Sequence, residues 1–146
     1  MDACIKQYLN FSESVFRLGK NILRIPVGEN KAYFSEPLGG ALKKVILEAT
    51  KSDDTPLVDN GNPSCPVFVV TTYSRITNGQ LKLFKLYGFD KDQMPIWQAW
   101  WATSSALGFF PPTKIDISSG LSELFVNGGV SANNSSLNAL VEAKNY

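Results

Sequence analysis

Val67-Phe68-Val69-Val70-Thr71-Thr72-Tyr73 is a run of β-branched and aromatic residues. It is too short for a typical helix and apolar on both faces at its start, the pattern of a strand buried in the middle of a sheet. A second strand is predicted from Leu81 to Tyr87, and Asn78-Gly79 between the two is a strong turn signal. The pair reads as an antiparallel hairpin, although Ser74 to Gln80 is longer than a tight turn requires. Further along, Ile115-Asp116-Ile117 alternates as a short strand does. Leu124-Phe125-Val126 forms another, ending in Asn127-Gly128-Gly129.

Helical spacing surrounds these strands. Ile5, Tyr8, Leu9, Val15 and Phe16 predict a helix over residues 2 to 18, with Gly19 as a stop. Residues 20 to 36 read as a loop. From Pro37, the positions Leu38, Leu42, Val45, Ile46 and Ala49 mark an amphipathic helix whose first turn Gly39 and Gly40 weaken. Lys51 to Ser64 is rich in turn-forming residues and reads as an exposed loop. Asp92 or Gln93 opens the next helix, with Pro95 in its first turn and Gly108 as the stop. Ile96, Trp97, Trp100, Trp101 and Ser104 supply its wide face, read first as a core face. A last helix is predicted from Asn134 or Ser135, with Leu137, Leu140 and Val141 on one face. Helices alternating with strands in this way imply an α/β layer architecture in one domain.

Composition narrows the function. With 146 residues, 44% hydrophobic and 18% charged, the chain is long enough for a real core and reads as an ordinary globular protein. Its net charge of +1 contains no block of like charge, so the field that gathers nucleic acid is missing. Cys4 and Cys65 form no C-x-x-C pair, which points away from a zinc site or disulfide framework and toward a reduced, cytoplasmic setting. No signal peptide or membrane-spanning run is visible. The absence of histidine removes Ser-His-Asp and Cys-His chemistry together with most transition-metal sites. Asp53-Asp54 with Asp59 does not follow the order of a calcium loop and reads as a solvated surface. No metal or cofactor is expected.

Serine chemistry in an α/β hydrolase needs G-x-S-x-G on a strained strand-to-helix turn, and no such pentapeptide is present. Ser118-Ser119-Gly120-Leu121-Ser122 lacks the first glycine and reads as a loop. Asn127-Gly128-Gly129-Val130 directly follows a strand, where α/β sheets collect their ligands and catalytic groups. As plain structure, the same residues are a glycine turn with the asparagine in the left-handed conformation.

Taken together, two stretches carry a resemblance. Ile96-Trp97-Gln98-Ala99-Trp100-Trp101-Ala102-Thr103-Ser104-Ser105-Ala106-Leu107-Gly108-Phe109-Phe110-Pro111-Pro112 is similar to the helix motif I-W-x-A-x-R-A-T-S-A-A-P-x-Y-F-x-P of the patatin-like phospholipases. Phe125-Val126-Asn127-Gly128-Gly129-Val130-Ser131-Ala132-Asn133-Asn134 resembles that family's F-x-D-G-G-x-x-A-N-N-P. The hairpin and the segment Met1 to Leu9 also resemble the family. The resemblance implies a partial three-layer α/β/α fold with a mixed central sheet, formed by the C-terminal portion of the domain over residues 1–146. It further implies acyl-ester hydrolysis of lipids by a Ser-Asp dyad without histidine.

The departures bear on activity. The family's glycine-rich oxyanion loop and its serine motif have no counterpart among these residues, and Asn127 stands where the dyad aspartate belongs. Trp101 replaces an arginine, while Leu107 and Ser135 replace prolines. Thr103, Ser104, Gly128, Gly129, Asn133 and Asn134 are the matching motif positions. The expectation is a truncated or degenerate acyl hydrolase without catalysis of its own. Half of a split enzyme, docking on a chain that supplies the missing segment, and a lipid- or protein-binding module are the alternatives. Loss of strand partners from a mainly parallel sheet leads us to expect self-association or poor solubility.

Overall fold

A computed structural model describes residues 2–16, 35–57, 65–75, 79–87, 94–118 and 121–145. The elements run α1 (Asp2–Phe16), α2 (Ser35–Thr50), β1 (Phe68–Tyr73), β2 (Leu81–Lys85), α3 (Ile96–Ser104), β3 (Thr113–Ser118), β4 (Leu121–Asn127), a 3-10 turn (Gly128–Val130) and α4 (Ser136–Asn145). The strands form one sheet in the order β2-β1-β4-β3. Helices lie against it, so the α/β class holds. The expected mixture of strand directions is absent among the described residues, where every pairing is antiparallel. The cause is local: β1–β2 and β3–β4 are neighbours in sequence, and β4 meets β1 head to tail through Thr71–Tyr73 and Phe125–Asn127.

Alternation along the strands places Val69, Thr71, Tyr73, Phe84, Ile115, Ile117 and Phe125 on one face. The buried Ala99 and Ala102 of α3 join that cluster, because small side chains let the helix approach the sheet closely. Phe125 holds its centre, with ring centroids 5.0 Å from Tyr73 and 5.1 Å from Phe84. On its outer side α3 meets α1 and α2 in a second cluster of Val15, Leu38, Leu42 and Phe110, flanked by Phe11, Trp97 and Trp101. The opposite face of the sheet carries Lys85, and there α4 is tied down by Glu142, which accepts from the Lys85 ammonium and the Tyr87 hydroxyl at 2.8 Å each.

Several expectations change in detail. Helix α2 starts at Ser35, two residues before the predicted Pro37, since proline is tolerated in a first turn whose N–H groups lack partners. Gly39 does more than weaken that turn. A Cβ there would come within 2.8 Å of the Trp101 ring, so the missing side chain is what seats α3 against α2. Within the predicted exposed loop, Leu57 is buried. It is held by an antiparallel bridge between Pro56 and Pro95, flanked by Leu57 N–H to Met94 O and Ile96 N–H to Thr55 O. Pro95 is extended and precedes α3 rather than lying in its first turn. The tryptophans face α1 and α2, not the sheet: Trp97 and Trp101 are half-buried and Trp100 is exposed. Ser118 to Ser122, read as a loop, begins and ends in the β3–β4 pairing. Helix α4 starts at Ser136, just after the predicted Asn134 or Ser135, and Leu137, Leu140 and Val141 are exposed, because the helix is held by a polar anchor instead of an apolar face. Gly19, Asn78, Asp92, Gln93 and nearly all of the 20–36 loop lie outside the described residues.

Candidate functional site

The end of β4 and the end of α3 are laced together. Helix α3 stops at Ser104, four residues ahead of the predicted Gly108. Ser105 leaves the helix with φ −75° and ψ 71°, its hydroxyl donating back to Trp101 O at 2.9 Å and sharing a 2.5 Å hydrogen bond with Thr113 Oγ1. That exit turns the Ser105 carbonyl outward, where it accepts from Asn127 N–H at 2.9 Å. Gly108 serves the following turn instead, with φ 84° in the region that favours glycine.

Asn127 uses both ends of its carboxamide. Nδ2 donates to the Thr103 carbonyl at 2.5 Å, and Oδ1 accepts from Gly129 N–H at 2.6 Å. The side chain therefore caps the 3-10 turn and fastens it to the helix in one motion. The backbone is not left-handed as predicted: Asn127 has φ −47° and ψ 134°. Nor do Gly128 and Gly129 adopt positive φ, so their requirement is for space. A Cβ on the buried Gly128 would overlap the Val70 carbonyl, while one on Gly129 would press on Asn127 Oδ1 at 2.8 Å.

The other predicted positions divide. Thr103 belongs to the constellation twice, through its carbonyl and through its hydroxyl, which donates to Val70 O at 2.8 Å. Ser104 contributes its carbonyl to Ala106 N–H at 2.8 Å. Asn134 Oδ1 accepts from Ser136 N–H at 3.0 Å and so caps α4, while Asn133 is exposed beside the turn. Two residues of the site carried no distinguishing signal in the sequence. Ser105 and Thr113 form the buried hydroxyl pair, and only the fold brings them together. Ser131 had a weak one, as a hydroxyl residue directly after a glycine turn. It accepts from Thr72 Oγ1 at 3.1 Å and donates to Gly79 O, which joins the 3-10 turn to the β1–β2 connection.

Chemically, the constellation is a neutral one. Its groups are amide, hydroxyl and carbonyl, and it contains no ionised acceptor. Among the described residues Glu142 carries a displaced ionisation. The Lys85 ammonium holds its carboxyl below the usual glutamate value against the opposing effect of burial, with help from the Tyr87 hydroxyl. It belongs to the anchor of α4. No group of three or more His, Cys, Asp or Glu among the described residues could hold a metal ion. None of the described helices is long and apolar enough to cross a membrane.

A layered α/β chain with an N-G-G turn clasped to a helix carrying A-T-S-S agrees with the comparison against protein families, in which the patatin-like phospholipase profile matches residues 1–140. The chain belongs to the patatin-like phospholipase family. The curated proteins yielded no significant match.

Proposed function

We propose that this chain is a degenerate patatin-like lipid acyl hydrolase without ester-cleaving activity of its own, formed from the C-terminal portion of such a domain. The observation that carries the reading is the state of Asn127. Family membership and the N-G-G turn support reading Asn127 as standing at the position of the dyad aspartate, with Gly128 and Gly129 shaping the turn around it. A dyad acid must accept a proton from the serine hydroxyl. The Asn127 amide has no usable basicity, its nitrogen donates to Thr103 O, and its oxygen already accepts from Gly129. The sequence also holds no G-x-S-x-G to provide an activated hydroxyl. Lipid acyl esters are the substrate class that the ancestry supports.

The test is direct. The purified chain, incubated with p-nitrophenyl esters of short and long acyl chains and separately with a fluorophosphonate probe, should give neither turnover nor a labelled serine. A covalent adduct on any serine would sink the reading. A second reading, that the chain docks on a partner providing the serine and oxyanion loop, draws support from the exposed Val130, Leu137, Leu140 and Val141. Esterase activity appearing only when such a chain is added would favour it.

A further inference from the structure

Asn127-Gly128 is also a dipeptide prone to spontaneous deamidation, because glycine offers no side chain to hinder its nitrogen. In that reaction Gly128 N attacks Asn127 Cγ, the new C–N bond forms, the Cγ–Nδ2 bond breaks and ammonia leaves. Water then opens the succinimide ring at either carbonyl, giving aspartate or isoaspartate with no change of oxidation state.

Four features of the fold oppose the first step. The extended ψ of 134° at Asn127 turns Gly128 N away from the side chain it must reach. The leaving nitrogen is bonded to Thr103 O and the carboxamide oxygen to Gly129 N–H, so the side chain is held at both ends. Gly128 itself is buried against the Val70 carbonyl, which blocks the backbone rotation that ring closure needs. We infer that Asn127 is a modification site gated by folding, silent while the end of β4 is clasped to α3 and reactive once the clasp opens.

The product changes what the clasp can hold. An aspartate carboxylate has no N–H to give Thr103 O and sets two oxygens against each other where Asn127 places a donor. An isoaspartate lengthens the backbone by a methylene and shifts Gly128 out of its seat on Val70. An isoaspartate formed while the chain is open therefore cannot rebuild the clasp, and an aspartate rebuilds it without the bond to Thr103 O. This goes beyond the functional proposal and is independent of whether any ester is cleaved.

The experiment is peptide mapping by mass spectrometry of the full chain, held at mildly alkaline pH in native buffer and in denaturing urea. Asn60-Gly61 and Asn78-Gly79 are internal standards for the same dipeptide chemistry. In urea, Asn127 should convert at a rate similar to Asn60 and Asn78. In native buffer its conversion should fall at least about tenfold, as the loss of two hydrogen bonds in the reactive state requires. Equal rates at Asn127 in the two conditions would overturn the gate. An Asn127→Asp variant should unfold at a lower urea concentration than the unsubstituted chain, and an equal or higher midpoint would overturn the part given to the Thr103 bond in holding the clasp. The rate comparison holds whether or not that variant folds.

Discussion

The two faces of the sheet are held by different physics. Under α3, the face carrying Phe84, Ile115 and Phe125 is sealed by Ala99 and Ala102, and rings meet rings. Under α4, the fastening is a carboxylate that takes one ammonium and one phenol, while Leu137, Leu140 and Val141 face outward. Dispersion and desolvation accumulate over many atoms on the first face. On the second, the fastening seen among the described residues rests on polar contacts of Glu142 that salt and pH can reach. The α3 side should therefore behave as the foundation of the fold, and the α4 side as its removable part.

The largest way to break this contrast is Phe125→Ala, which removes the ring shared by Tyr73 and Phe84 and should cost about 3 to 5 kcal/mol in urea unfolding. A cost comparable to an α4 substitution would mean that the faces are equivalent. Gly128→Ala comes next, since its Cβ meets backbone that cannot swing aside, and about 2 to 3 kcal/mol is expected from the same measurement. Gly39→Ala pushes on the Trp101 ring, and a loss of about 1 to 2 kcal/mol should come with altered tryptophan fluorescence. Unchanged emission would show that the α2–α3 seat is looser than described.

On the α4 side the effects should shrink and become pH-dependent. Lys85→Ala should cost about 1 kcal/mol, because the mostly covered Glu142 carboxylate loses its cation but keeps the Tyr87 hydroxyl. Glu142 has a lowered pKa in the folded chain, so its contribution is complete above the unfolded-state value and is lost as pH falls through the folded one. The protection of α4 amides against hydrogen exchange, taken relative to the intrinsic rate at each pH, should fall on acidification before that of β1 or β4. In Lys85→Ala that acid sensitivity should largely vanish. The smallest change is Leu140→Ser, within about 0.5 kcal/mol of the original stability. Its informative readout is light scattering. If the outward leucines mediate self-association, the variant should shift toward monomer.

Much of this plan is legible in the residues, and the places where it is not share a cause. Val67 to Tyr73 announced its strand because β-branched residues dominate it. Asn127-Gly128-Gly129 announced a turn because few residues other than glycine tolerate such crowding. The α3 stop was misplaced because glycine at 108 is the stronger local signal, whereas the chain leaves the helix at Ser105 to satisfy contacts with Thr113 and Asn127. The three tryptophans dominate any reading of the helix by size. It is Ala99 and Ala102 that lie against the sheet, since a close approach selects for what is small. Leu57 in the core was hidden by its polar neighbours, and while the β1–β2 hairpin is antiparallel as its spacing predicts, the antiparallel pairing of β4 with β1 could not be read from the sequence. In each case the deciding partner lies far along the chain.

The bridge between Pro56 and Pro95 has a further consequence. Each proline faces the other at a position where the flanking residues Leu57 and Ile96 supply the N–H donors. An imide nitrogen carries no hydrogen, so the outward edge on either side offers a newcomer no donor at that position. The two segments can thus grip each other without becoming a template for a third, and the clip at the head of α3 is sealed against the runaway pairing that threatens open β structure.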